Sequence, residues 1–383
     1  MYKKLNLIAL LLFAGITILA QDQYLTANAE DNEKIYVSKK TYNVKKFPHK
    51  FKTDKPKNII LLIGDGMGVS QVYAGLTANK GKLFINNCKH IGFSKTQSAD
   101  NYITDSAAGG TAISSGIKTY NGAIAVDIAG APVKTILEEA SDKGLATGLV
   151  SSSAITHATP ASFIAHQPDR GMYEEIAADF LNTDIDVFIG GGLDHFTKRQ
   201  DGRNLVEELQ EKGYKVETDI KAIKKTKSGK LAGLTAAVHN GRINDREDML
   251  PVATNTALEI LSNNEDGFFL MVEGSQIDWG GHASSTVYIV EDMLDFDKVV
   301  GQALAFAAKD KETLVIVTAD HETGGMAITG GSIKDGVVKA EYPTKGHTGV
   351  MVPIFSYGPG AEEFTGIIEN TDIYTKMKRL LLK

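Results

Sequence analysis

The chain has 383 residues, 43% of them hydrophobic, enough for one large α/β domain or two ordinary ones and for a substantial core, so disorder of the whole chain is excluded. Its formal charge is −6, but residues 1–56 hold ten lysines against five acids, which leaves 31 basic and 42 acidic groups in the remainder, a net of −11. So acidic a body argues against a nucleic-acid partner, whose binding rests on attraction of phosphates, and at first sight against any phosphate substrate.

Lys3 and Lys4 precede an apolar run from Leu5 to Ala20, broken only by Asn6 and Thr17, about the length of a signal-peptide core and short for a bilayer span. Residues 1–20 therefore read as an export signal cleaved after Ala20, with a periplasmic or secreted destination. Ile18 is larger than the residue preferred three positions before cleavage, so an uncleaved N-terminal membrane anchor is the alternative. The only cysteine is Cys88, so no lipoprotein attachment near residue 20 and no intrachain disulfide is available. Residues 21–56 are polar and lysine-rich, with Pro48 and Pro56, and read as a linker holding one short ordered piece.

From residue 57 to 383 strand and helix patterns alternate. The short runs Asn58–Ile63, Thr147–Ser151, Val187–Ile189, Gly267–Val272 and Thr313–Thr318 suit strands buried on both faces of a mostly parallel sheet, with a further strand at Val350–Tyr357. Helical patterns lie at Val133–Lys143, Gly171–Leu181, Asn204–Lys212, Asn255–Ser262 and from about Ser285 to Lys309. The expected fold class is α/β: one domain with a mostly parallel central sheet flanked by helices on both faces, where ligands collect at the carboxyl ends of strands. Lys221–Lys230 is compositionally biased and reads as a solvated loop.

The first strand runs into Gly64-Asp65-Gly66-Met67-Gly68, which invites a dinucleotide-binding reading. That fingerprint fails: position 69 is not glycine, and no acid lies between 66 and 99 to bind a ribose. Asp65 alone would pass for a helix N-cap. Three other places also deliver metal-binding groups. Glu273 follows an apolar run, with Asp278 and His282 spaced four apart beyond it, so that one helical turn would put both on one face. Asp320 and His321 end the strand Thr313–Thr318, and His347 sits in a glycine-flanked loop. Nitrogen and oxygen donors without thiolate suit zinc, and an all-oxygen subset suits magnesium. Ser106, in Thr104-Asp105-Ser106-Ala107-Ala108-Gly109-Gly110-Thr111-Ala112, is a candidate nucleophile at a helix start; no G-x-S-x-G elbow is present to activate it, so a metal ion would have to.

These motifs, together with His157-Ala158-Thr159, Arg170 and Asp320-His321-Glu322-Thr323-Gly324-Gly325, closely resemble the bacterial alkaline phosphatase family, in the same order from residue 57 to the end. The resemblance implies hydrolysis of phosphate monoesters through a phosphoserine at Ser106. It implies one zinc held by Asp278, His282 and His347 and a second by Asp320, His321 and Asp65. Magnesium would be held by Asp65, Thr159 and Glu273, with Arg170 clamping the phosphate. Three divalent ions against four carboxylates would turn the site net positive, which removes the objection to a phosphate substrate. It further implies a homodimer and a small crown-like insertion, for which Ile328–Thr344 is the candidate stretch.

His157 and Trp279 depart from the enterobacterial members, which carry Asp and Lys there, and are expected beside the third metal, where an imidazole would let Zn2+ or Co2+ compete with Mg2+. His49, His90, His195 and His239 match no motif and read as surface or satisfied core residues, and His166 as a structural support. A sulfatase would need a different setting around its nucleophile than Ser106 followed by Ala107-Ala108-Gly109-Gly110, and a noncatalytic binder would be expected to have lost a ligand or the nucleophile, whereas all are present.

Overall fold

The computed structural model describes residues 33–382. The export-signal stretch and residues 21–32 lie outside the described residues. The strands run in chain order as β1 (Ile35–Val37), β2 (Asn58–Gly64), β3 (His90–Lys95), β4 (Ala146–Ala154), β5 (Val187–Gly191), β6 (Lys215–Glu217), β7 (Leu231–Leu234) and β8 (Phe268–Gly274). They continue as β9 (Thr313–Thr318), β10 (Glu322–Thr323), β11 (Ala327–Ser332), β12 (Val337–Glu341), β13 (His347–Thr348), β14 (Val352–Tyr357) and β15 (Gly366–Glu369).

Ten of these form the central sheet, in the order β15-β3-β14-β9-β2-β8-β4-β5-β7-β6. The seven from β9 to β6 are parallel, and β14 alone runs antiparallel to both its neighbours. Side chains of β2 alternate between two apolar layers. Ile60 and Leu62 join one with the helices Val69–Ala78, Met249–Leu261 and Thr286–Asp310, while Ile59, Leu61 and Ile63 join the other with Ser106–Ser115, Ile136–Asp142 and Asn370–Leu381. Burial on both faces explains why the central strands read as unbroken apolar runs rather than as alternations. Several helices are shorter than the sequence patterns implied, Ile136–Asp142 among them. Its start is set by Thr135, which accepts from Glu138 N at 3.2 Å while Glu138 accepts from Thr135 N at 2.8 Å.

Two stretches differ from the expectation. Residues 33–56, assigned to a polar linker, lie along the domain: β1 pairs with β12, Tyr42 Oη donates to Asp297 Oδ2 at 2.6 Å, and Tyr42 and Phe47 stack on Phe84. His49 and Phe51 pack against Tyr357. Isolated aromatics in a lysine-rich background have no period, so their packing left no pattern to read. The biased segment from 221 to 230 begins inside a short helix, Ile220–Ile223, which buries Ile223. The Ile328–Thr344 stretch is a hairpin of β11 and β12, extended by β1 to three strands.

Candidate active site

The four adjacent parallel strands β9, β2, β8 and β4 end at one edge, and each releases polar residues there. Asp65 follows β2, Glu273 is the last residue but one of β8, Asp320 and His321 follow β9, and His157 and Thr159 follow β4. Asp278 and His282 occupy the helix Gln276–His282 directly after β8. His347 arrives from further along the chain because β13 pairs antiparallel with β10, placing Thr323 opposite His347. At Gly66, φ is +70° and a Cβ would stand 2.7 Å from Asp278 Cα, so the turn that brings Asp65 beside Asp278 requires glycine.

Among the described residues, three groups of side chains able to hold a metal ion result: Asp278, His282 and His347; Asp65, Asp320 and His321; and Asp65, His157 and Glu273, the donor atoms of each lying within 4.8 Å of one another. In the first two groups every imidazole turns Nε2 inward. His282 Nε2 lies 3.3 Å and His347 Nε2 3.5 Å from Asp278, and His321 Nε2 lies 3.3 Å from Asp65 and 3.4 Å from Asp320. Their Nδ1 atoms are engaged elsewhere: His282 with Lys345 O, His347 with Thr104 O at 2.9 Å, and His321 with Thr323 Oγ1 at 3.2 Å. Protonation at Nδ1 leaves the Nε2 lone pair facing inward, which is the tautomer a cation needs. Thr323 Oγ1 in turn donates to Asp278 Oδ1, and Ser151 Oγ donates to Glu273 Oε2 at 2.6 Å.

Asp65 Oδ1, His157 Nδ1, Thr159 Oγ1, Glu273 Oε1 and Asp320 Oδ2 are buried with no hydrogen-bond partner. Burial and the neighbouring carboxylates push Asp65 well above the usual carboxylate range and Asp320 up to about 8. Although burial raises Asp278 too, His282, His347 and His321 outweigh it and hold its carboxyl well below the usual value. Asp278 in turn raises His282 to about 9. Four buried acids crowded around unpartnered oxygens fit divalent cations, which supply the missing positive charge and bonds together.

Ser106 begins the helix Ser106–Ser115, with Oγ 3.1 Å from His321 Nε2 and 3.4 Å from Asp65 Oδ2. The helix cap is the residue before it: Asp105 accepts from Ala108 N at 3.0 Å and also from Gly122 N and Arg170 Nη1, both at 3.0 Å. Arg170 Nη2 points at His157 Nε2, 3.4 Å away. Trp279 is 5% exposed and forms a wall beside His157.

All the residues singled out from sequence thus meet at one edge of the sheet. Sequence reading gave no role to Asp105, Ser151 or Thr323, and took His239 for a surface or satisfied core residue. Asp105 and Thr323 sit inside motifs already noted, so adjacency to Ser106 and His321 was an available signal. For His239, in a loop between β7 and the helix Met249–Leu261, there was none, yet its ring packs against both His157 and Trp279. Burial, with His195 nearby, lowers the His239 imidazole to about 3. His195 stacks on Tyr173 and meets Thr156 Oγ1 at 2.6 Å, and His166 bridges Glu138 and the Ala125 carbonyl, each at 2.9 Å, as a structural support.

Residues 56–342 match the alkaline phosphatase family model. The chain is 38% identical to alkaline phosphatase 3 of Bacillus subtilis, over 84% of this chain and 88% of that one, and 34% identical to alkaline phosphatase of Escherichia coli K12, over 86% and 87%. Among solved structures, the alkaline phosphatase from the Antarctic bacterium TAB5 superposes with a TM-score of 0.81 at 43% identity, covering 85% of this chain and 98% of that one. A variant of that protein with a histidine replaced by aspartate carries Mg bound in its M3 site, and superposes at 0.80 with 42% identity over 86% and 99%. On the family model, the curated relatives and the superposable structure, this chain belongs to the alkaline phosphatase family.

Proposed function

We propose that this chain hydrolyses phosphate monoesters to an alcohol and inorganic phosphate through a phosphoserine at Ser106, with two Zn2+ and one Mg2+ as its resident ions. The observation that carries this reading is the placement of Ser106 Oγ 3.1 Å from His321 Nε2 and 3.4 Å from Asp65 Oδ2, beside an Arg170 guanidinium fixed by Asp105. Asp278, His282 and His347 would hold one zinc, Asp65, Asp320 and His321 the second, and Asp65, Thr159 and Glu273 the magnesium. His157 stands beside that last group, and its nitrogen would let Zn2+ or Co2+ compete there.

When bound, the ions lower the pKa of a coordinated hydroxyl or water and take up charge on phosphoryl oxygens. Ser106 Oγ, its proton passed to water, attacks phosphorus in line as the bond to the ester oxygen breaks, and that oxygen takes a proton from water and departs as the alcohol. Asp105 holds Arg170 Nη1, so the guanidinium fork is already oriented when two phosphoryl oxygens reach its remaining N–H groups. Water then attacks the phosphoserine from the vacated side, returning Ser106 and freeing phosphate. The apolar run at Leu5–Ala20 supports export to the periplasm or the medium, and no helix among the described residues is long and apolar enough to cross a membrane. Small phosphate monoesters are the expected partners, with a homodimer as the assembly, which the scattering mass of the purified chain tests.

The decisive experiment is hydrolysis of p-nitrophenyl phosphate at pH 7–10 by the protein, its Ser106→Ala variant and chelator-treated protein. Substitution is expected to lower kcat by roughly 10³ or more, and chelation to abolish turnover. Equal or greater activity on bis(p-nitrophenyl) phosphate or p-nitrophenyl sulfate would overturn the assignment. Turnover that survives chelation would remove the metal ions from it.

A further inference from the structure

His157 reaches the third metal group through a ring that few bonds hold. Its Nδ1 has no hydrogen-bond partner, and its Nε2 meets Arg170 Nη2 only at 3.4 Å. Orientation falls to packing. Three rings close on one another edge to face: His157 and His239 at 5.5 Å and 84°, His239 and Trp279 at 5.1 Å and 83°, His157 and Trp279 at 6.2 Å and 87°.

His239 is itself anchored. Its Nδ1 accepts the N–H of Ala154, the last residue of β4, at 3.1 Å. The adjoining Asn240 is tied to the same strand and to the helix that carries Asp278, because Gln276 Nε2 donates to Asn240 O at 2.9 Å and to Ser152 O at 3.1 Å. The ring is therefore a fixed wall, built from the strand end that delivers His157.

We propose that His239 is a positioning residue for the third metal group: with Trp279 it fixes the His157 imidazole beside Asp65 and Glu273, and so biases that group toward ions that accept nitrogen, Zn2+ or Co2+, over Mg2+. The physical reason is ligand softness, since imidazole suits Zn2+ and Co2+ whereas Mg2+ takes oxygen. Removing the ring opens a space into which His157 turns, and the nitrogen leaves the group. This rests on the metal-dependent reading above but is measured without turnover.

The test uses the full chain and its His239→Ala and His239→Phe variants, stripped of ions and titrated separately with Co2+ and Mg2+. Bound metal is counted by atomic emission after dialysis, and the visible absorption of Co2+ is followed. The alanine variant is expected to keep its first two Co2+ equivalents and to bind the third about 10-fold more weakly or worse, while Mg2+ affinity changes by no more than about 3-fold. The absorption belonging to the third equivalent should change with it. Phenylalanine, which keeps a ring in the same place, should restore the third Co2+. An unchanged Co2+ titration, equal losses at all groups, or a phenylalanine variant no better than alanine overturns the proposal. Should the alanine variant fail to fold, His239→Asn, which has no aromatic ring, takes its place against phenylalanine. A chain that bound ions in this pattern but hydrolysed no phosphate monoester would sink the proposed function and leave this inference standing.

Discussion

Arg170 Nη1 donates to Asp105 Oδ2 at 3.0 Å, and the same carboxylate caps the helix that begins with Ser106 by accepting from Ala108 N. One side chain thus sets both the helix start and the guanidinium beside it. Replacing Asp105 by alanine should cost about 1 kcal/mol of stability through the lost cap. The freed guanidinium should weaken the binding of inorganic phosphate by roughly 10-fold, the worth of a charge-assisted hydrogen bond. Calorimetric titration with phosphate checks this, and an unaltered Kd would show that Arg170 needs no partner.

Ion removal should destabilise the fold as well as silence it. Asp65, Glu273, Asp278 and Asp320 are each 0–4% exposed and crowd together, so the fold without cations must either set buried charges against one another or hold protons on these carboxyls. Ions present well above their Kd contribute about 3 kcal/mol or more by mass action. Calorimetry in chelator should accordingly show a melting temperature lower by several degrees, recovered by Zn2+ with Mg2+. Coincident melts in the two conditions would contradict these groups as ion sites.

Away from the site, Arg246 donates through Nη2 to Asp292 at 2.6 Å and lies 3.1 Å from Asp295, with all three side chains at most 2% exposed. Breaking such a group strands two carboxylates in the core. Arg246→Met is expected to lose about 3–5 kcal/mol, and adding Asp292→Asn and Asp295→Asn should recover much of it. Urea unfolding midpoints measure both, and a loss below about 1 kcal/mol would mean water reaches the cluster.

The His166 and Glu138 pair gives a pH signature. Burial works against the imidazolium, but the bonds to Glu138 and the Ala125 carbonyl outweigh it and raise the pKa above 6.5. Because the folded value is the higher one, the stabilisation is fully present below pH 6.5 and is lost as pH rises through the folded pKa. Melting temperatures of the protein and of His166→Gln should therefore differ at pH 5–6 and converge on the alkaline side. A gap that widens with pH would reverse the assignment.

Asp65, Ser106, Glu273, Asp278, His282, Asp320, His321 and His347 stood out in the residues as candidates, because each follows an apolar run or sits in a short local motif, whereas their division into three metal groups and the role of Arg170 came from the family resemblance. The central strands were legible for a related reason: burial on both faces forces short apolar β-branched runs. The pairing of Tyr42 with Asp297 and of β1 with β12 was not, since contacts across some 255 or 300 residues leave no periodic mark on either segment.

His239 marks the same boundary inside the site. Residue types and their local spacing sufficed to name the sheet and the candidate metal-binding groups at its strand ends, because ligand identity and hydrophobic period are properties of short stretches, and the family resemblance of those motifs supplied the chemistry. Which imidazole faces inward through Nε2, which acid fixes Arg170, and which ring walls His157 were settled only when segments distant in the chain packed together at the strand ends. Those relations depend on distances between segments, and spacing along the chain carries no information about them until the tertiary fold closes.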